Sequence, residues 1–305
     1  MDEAVYHIPA MLPECLAGLD IKPGGTYIDA TFGGGGHSRA IVESLDDDGH
    51  LYSFDQDMDA YANRIDSPRF TFVHSNFRYI YNFMRYYGAL PADGIMADLG
   101  VSFHHFDTPE RGFSFRADAP LDMRMNREAS LTAREVLNTY TDERLAAILR
   151  TYGDLKRPGP VVKAILNARA SAEIDTTSRL LEVIAPAINP RQEKKELAQV
   201  FQALRIEVNG EMQALADFLN ATRRVLRPGG RLVVLTYHSL EDRMVKNFIR
   251  TGNVEGEVQK DFYGRNLCPW KAIGKQPQVP SPEEVERNPR SRSARLRVAE
   301  YSPLS

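Results

Sequence analysis

Four glycines separate a short β-forming run from a helical one in Thr26-Tyr-Ile-Asp29-Ala-Thr31-Phe-Gly33-Gly34-Gly35-Gly36-His37-Ser38. A glycine turn lets a ligand approach the backbone, because no Cβ stands in the way. The free amides that open the following helix then face that ligand. The dinucleotide fingerprint Gly-x-Gly-x-x-Gly does not fit, since its last glycine would fall on Ser38 or Arg39. A P-loop does not fit either, because no Gly-Lys-Ser/Thr follows. What fits is an acid, three residues, then Gly-x-Gly: Asp29, Gly33 and Gly35. This arrangement suits a ligand with an ammonium, a carboxylate and a ribose. Asp29 would face the ammonium, directly or through water, and the glycine amides the carboxylate and ribose. S-adenosylmethionine carries those groups.

A second acid supports a nucleoside. Asp55 follows the strand His50–Phe54, about 20 residues beyond Gly35, where doubly wound folds place the acid that holds the ribose hydroxyls. Asp57 competes for that role, and a helix N-cap is the plain alternative for Asp55. A third acid, Asp98, ends the run Gly94-Ile-Met-Ala-Asp98.

The elements that must position these residues alternate. Strands are expected at 26–29, 50–54, 70–74 and 94–99, with helices at 7–19, 38–45, 58–65 and 78–87. That order implies an α/β, doubly wound, mostly parallel sheet. From about 102 to 204 the chain reads as helices and loops only. Thr132-x-x-Glu135 and Thr141 mark helix starts, and Tyr152-Gly153 a stop. About 100 helical residues interrupting a sheet imply an inserted domain. The expected division is 1–104 and 206–305 for the sheet domain, with 105–205 inserted. A long helix from 192 to 226 should bend at Asn209-Gly210. Strands are then expected at 231–237, 270–274 and 294–300, with a helix opening at His238-Ser239 and Ser239-x-x-Asp242 as its capping box.

The chain has 305 residues, 43% hydrophobic and 26% charged, with net charge −3, so any nucleic-acid site must come from local basic patches. No apolar run approaches the roughly 18 residues of a membrane span, and no secretory leader opens the sequence. Cytoplasmic location follows as the expectation. Cys15 and Cys268 have no metal or redox spacing, and no metal is expected.

Several motifs together resemble one family. They are His7-x-Pro9-x-Met11-Leu12-x-Glu14, the glycine stretch through Ser38, Phe54-Asp55-Gln-Asp57, Asp98-Leu-Gly-Val-Ser102, Asp107-x-Pro-Glu-Arg111-Gly-Phe113-Ser-Phe115, Pro120-Leu-Asp-Met-Arg124-Met, Phe201-Gln-Ala-Leu-Arg205-Ile, His238-Ser-Leu-Glu-Asp-Arg243 and Asn288-Pro-Arg290-Ser-Arg-Ser. In this order, and over nearly the whole chain, they resemble the bacterial 16S ribosomal RNA cytosine-N4 methyltransferases of the RsmH (MraW) type. The resemblance implies a class I methyltransferase sheet, S-adenosylmethionine as cofactor, and 16S ribosomal RNA or the small subunit as partner. It implies that Gly35, Gly36, His37, Asp55, Phe77, Asp98 and His105 lie at cofactor-contacting positions. His105 departs from the family, which commonly reads Ser-Pro-Gln across 103–105.

In that setting Asp98 is expected to accept from the cytosine amine or to hold the cofactor. Arg111, Arg116, Arg124 and Arg127, interleaved with Phe113 and Phe115, suit single-stranded RNA through phosphate pairing and stacking. A salt-bridged loop is the alternative for any one of them. His238 is expected at the site wall near the target base, and Arg287, Arg290, Arg292, Arg295 and Arg297 form a second basic run. The rivals are a nicotinamide oxidoreductase, opposed by the glycine spacing, and a non-catalytic RNA-binding protein on a methyltransferase shell.

Overall fold

The computed structural model describes residues 8–100, 108–275 and 277–303. The chain forms two compact units, one of Met1–Gly100 with Met212–Ser305 and the other of Val101–Glu211.

The first unit carries a seven-stranded sheet: β1 Thr26–Asp29, β2 His50–Asp55, β3 Phe70–His74, β4 Ala92–Asp98, β5 Leu226–Thr236, β6 Trp270–Ala272 and β7 Arg295–Tyr301. Its order is β3-β2-β1-β4-β5-β7-β6. β1 to β5 are parallel, and β7 runs antiparallel to both β5 and β6. This is the doubly wound, mostly parallel α/β sheet expected from the sequence. The central strands are buried on both faces, as Ile95, Val233 and Val234 show at 0% exposure. Such strands read as continuous apolar runs, which is why they stood out in the sequence.

Several elements differ from expectation. The segment after β2 is a 3-10 helix, Met58–Asn63, whose N-cap is Asp57, with the carboxylate accepting from the Asp59 amide at 3.1 Å. β5 begins at Leu226 rather than 231. Leu226 pairs with Ala92 and Arg231 with Gly94, so Arg227-Pro-Gly-Gly230 lies within a register shift rather than before the strand. The long helix does break at Gly210, which is left-handed (φ 57), giving Glu193–Asn209 and Glu211–Val225.

The second unit has no strand among its described residues. Its helices Ala133–Thr139, Asp142–Thr151, Pro158–Arg169, Thr177–Ile184 and Glu193–Asn209 enclose their own core, which includes Leu145, Ile165, Leu180 and Leu204. Thr132 and Glu135 form the capping box read from the sequence.

Candidate active site

Three adjacent strands, β2, β1 and β4, each end in an aspartate: Asp55, Asp29 and Asp98. The strand order reverses between β1 and β4, and open α/β sheets bind ligands outside the carboxyl ends of their strands at such a point.

Asp29 is 1% exposed and turned inward. One oxygen accepts from the Thr31 amide (3.0 Å), the other from the Ser38 hydroxyl (2.6 Å), which also meets Ser53 (2.8 Å). Its expected role at an ammonium is therefore corrected. Asp29 ties the start of the glycine loop to the first turn of helix Gly36–Glu43 and offers no free face to a ligand.

The glycine loop is a cradle built at backbone level. Asp55 accepts from the Gly33 amide at 2.8 Å, and Asn63 donates to the Gly33 carbonyl at 3.1 Å. Gly35 is the helix N-cap at φ 76, where L-residues are strained. A Cβ there would fall 2.6 Å from the Arg39 guanidinium and 2.9 Å from the Phe32 ring. At Gly36 a Cβ would stand 3.0 Å from the Pro9 ring. Glycine is thus required at both positions by the close packing of Phe32, Arg39 and Pro9 on the loop.

Asp55 is half-buried and is not a helix cap. Its second oxygen accepts from the Asp57 amide at 2.8 Å. A carboxylate offers about four lone-pair sites, so acceptors remain for ribose hydroxyls. Burial pushes its pKa up to about 6, against the pull of the two amides and with a further push from Asp57 and Asp29. Phe77 opens the short 3-10 helix after β3, its ring edge-on to Phe218 at 5.2 Å.

Asp98 is tied to the end of β1, to the glycine loop and to the end of β5. The Thr31 hydroxyl accepts from its amide (2.6 Å), the Tyr237 hydroxyl donates to Oδ1 (2.7 Å), and His37 Nδ1 lies 3.7 Å from Oδ2. His37 Nε2 sits 3.0 Å from the Ala10 carbonyl. A carbonyl only accepts, so Nε2 carries a proton and the Nδ1 edge of the ring faces Asp98. Desolvation raises the Asp98 pKa, while His37 and Tyr237 hold it down. Its side chain keeps 25% exposure, so a reacting group can reach it. Asp55, Asp57, Asp98 and the buried Glu241 make an acidic environment suited to a cationic sulfonium.

Neither thiol is poised as a nucleophile. Cys15 is fully buried, and burial with the Asp98 charge holds its pKa well above the usual thiol value. Cys268 donates to the Ile249 carbonyl at 3.2 Å, and burial raises its pKa as well.

Other expectations need correction. His238, not Ser239, is the N-cap of helix Ser239–Thr251, and its box partner is Glu241 rather than Asp242. Asp242 instead makes a two-pronged pair with Arg297 at 2.8 and 3.1 Å, and Arg295 joins it at 3.3 Å. Arg287 pairs with Glu284. Three members of the C-terminal basic run thus meet carboxylates, and Arg290 and Arg292 are solvent-exposed on the turn Pro289–Ser293. In the helical unit Arg111 is 4% exposed, and its guanidinium donates to the carbonyls of Arg124 and Met125. Phe113 lies in that unit's core. Arg124 is held by both oxygens of Asp122 and by the Ala129 carbonyl. These three are engaged within their own unit, whereas Arg116 is exposed. His105 lies outside the described residues.

Sequence reasoning missed Ser38, Ser53, Asn63, Tyr237 and Glu241. Of these, Ser38, Tyr237 and Glu241 lie inside or beside motifs already singled out, and that adjacency was their one available signal.

Comparison with known proteins identifies the family. The chain is 58% identical over 302 residues to a ribosomal RNA small subunit methyltransferase H of Phocaeicola vulgatus, covering 98% of this chain and 99% of the relative. A protein of the same name from Parabacteroides distasonis is 58% identical over 299 residues, covering 98% of each. Among solved structures, an rRNA methylase from Streptococcus thermophilus aligns over 95% of this chain and 93% of its own, with 11% identity and a TM-score of 0.42, too remote to inform the site. The profile of the MraW methylase family matches residues 4–302, and with that coverage the chain belongs to the MraW methylase family.

Proposed function

We propose that this protein methylates the exocyclic N4 of a cytidine in 16S ribosomal RNA, with S-adenosylmethionine as donor. The observation that carries the reading is Asp98, held beside the glycine cradle at the switch point of the sheet. The cofactor supplies an already activated methyl group, so the protein's task is positioning and electrostatics. The N4 lone pair of cytosine is delocalised into the ring. A carboxylate accepting from the amine hydrogens localises it, and Asp98 is the group placed to do so. The backbone of Gly33–Gly36 and the side chain of Asp55 would hold the cofactor. With both thiols buried or engaged, transfer goes directly to nitrogen. The base must leave its stack to reach such a site, so an exposed loop or flexible junction is the substrate. The names of the relatives support the small-subunit assignment. No helix among the described residues is long and apolar enough to cross a membrane, and action on ribosomal subunits puts the protein in the cytoplasm.

The test is mass spectrometry of nucleosides from undermodified small subunits incubated with enzyme and donor. N4-methylcytidine is the expected product, and the Cys15→Ala, Cys268→Ala double variant should still form it. A methyl on C5, on ribose or on a purine overturns the assignment.

We assign RNA recognition to the helical unit and to the exposed arginines Arg116, Arg290 and Arg292. Arg116→Ala with Arg292→Ala should weaken RNA binding and make its dependence on salt shallower by about one to two in log–log slope. Cofactor affinity should stay unchanged. An unaltered slope would mean that these arginines do not meet phosphate.

A further inference from the structure

The end of the sheet opposite the three aspartates carries cations and uncovered aromatic rings that the reaction does not use. Three helices of the first unit return to that end. Helix Glu211–Val225 lies between the other two: Arg224 stacks on Tyr81 of helix Ile80–Tyr86 at 3.5 Å, and Arg223 lies 5.2 Å from Phe248 of helix Ser239–Thr251 and donates to the Gly252 carbonyl. Each helix has arginine in its last turn, including Arg85, Arg224 and Arg250, all exposed. The helix dipole alone favours a cation there. It does not account for the aromatic rings beside them.

Tyr86, at the end of the first of these helices, is 81% exposed. The loop after the third forms a tight hairpin in which Lys260 pairs with Asn266, and the Asp261 amide donates to the Arg265 carbonyl at 2.9 Å. The Asp261 carboxylate accepts from the amides of Tyr263 and Arg265, both at 2.8 Å. Phe262 is 98% exposed and Tyr263 77%, their rings edge-on at 5.6 Å, and the Arg265 guanidinium lies 5.3 Å from the Tyr263 ring. A backbone this well hydrogen-bonded holds the rings out rather than letting them fold back. Cys268, bonded to Ile249, ties the hairpin to the end of its helix. The hairpin leads into β6, whose first residue, Trp270, pairs with Tyr301 at the end of β7 that flanks the start of β5. That places it at the amino-terminal edge of the sheet. On these helix ends and this loop the acids are Glu255, Glu257 and Asp261, outnumbered by the cations, and Asp261 is engaged in the turn.

We propose that this face is a second RNA-contact surface, which binds ribosomal RNA away from the target cytidine. Arg85, Arg224, Arg250 and Lys260 would meet phosphates, and Phe262 would stack on an unpaired base. Cations mixed with rings that display open faces are how proteins hold single-stranded RNA without reading sequence. The proposal rests on the reading that the substrate is ribosomal RNA. It adds that the enzyme grips a folded RNA at both ends of its sheet.

The experiment measures KM for undermodified small subunits, its salt dependence and the cofactor Kd, with thermal melting as the control for folding. The Arg250→Glu, Lys260→Glu double variant should raise KM at least tenfold and flatten the salt dependence, with cofactor Kd and melting temperature unchanged. Phe262→Ala should raise KM with the salt slope preserved, because stacking releases no counterions. Phe262→Trp should restore KM and Phe262→Leu should not. Wild-type KM and slope in the charge-reversal variant would overturn the proposal. Full rescue by Leu would overturn it in favour of an apolar protein partner. If wild-type enzyme left the subunits unmethylated, the substrate reading itself would fail, and direct binding of the same variants to purified 16S RNA would decide the surface on its own.

Discussion

Asp98→Asn is expected to lower kcat on small subunits by about 10²–10⁴-fold, the usual size of a general-base contribution, while cofactor Kd moves much less. Asparagine keeps the size of the side chain and an oxygen to accept from the Tyr237 hydroxyl, and the Asp98 amide still reaches Thr31. What disappears is the charge facing the amine. The pH profile should carry the same signature. Desolvation raises the Asp98 pKa, so wild-type kcat falls on the acid side as the carboxylate takes a proton, and the variant loses that limb. Cofactor Kd rising in step with an unchanged kcat would make Asp98 a cofactor ligand only.

The second large effect belongs to Asp55. Its carboxyl, with a pKa of about 6 in the folded protein, is charged at neutral pH only against its surroundings. Hydroxyl donors from a ribose favour the charged form, so cofactor binding should pull the pKa down and release protons between about pH 4 and 6. Affinity should fall up to about tenfold per pH unit below 6. The sign for stability follows from the same shift. The folded state binds the proton more tightly than the unfolded chain. The cofactor-free protein is therefore most stabilised by this group below its ordinary value of 3.8 and loses that contribution as pH rises through 6. The loss is on the order of 3 kcal/mol, and saturating cofactor should shrink it. Calorimetry in buffers of different ionisation enthalpy measures the protons released, and release that persists in Asp55→Asn would assign them elsewhere. Asp55→Ala is the blunter variant, since it also strips the amides of Gly33 and Asp57 of their acceptor.

The strands and the three aspartates that end them were legible because each is local: a β-forming apolar run followed by an acid. So was the glycine loop, whose φ values only glycine adopts freely. What was not legible is which polar group each acid meets. Asp29 has the look of a ligand contact, but Ser38 and Thr31 take both its oxygens. Asp242 looks like a cap but pairs with Arg297, 55 residues away in sequence. Arg111 looks like an RNA contact but satisfies two backbone carbonyls inside its own unit. In each case a tertiary neighbour, absent from any local pattern, decides the role. The early start of β5 was hidden for a related reason. Pro228-Gly229-Gly230 reads as a turn, and only pairing with Ala92 and Gly94 on either side keeps it within a strand.

The segment before the first helix lies against the glycine cradle, with Pro9 beside Gly36 and the Ala10 carbonyl on His37. It is held there by residues near the other end of the chain: Glu284 accepts from the Met11 amide at 3.2 Å, and Asn288 donates to the Ile8 carbonyl at 3.0 Å. During synthesis the cradle therefore emerges early but waits for its last supports. A nascent chain that has not yet extruded residue 288 has every glycine and aspartate of the site and lacks the clasp that seats Pro9 and Ala10. Activity should switch on late in translation, and products of messages truncated before that point, which also lack β7 from between β5 and β6, should be inactive and poorly folded rather than weak enzymes.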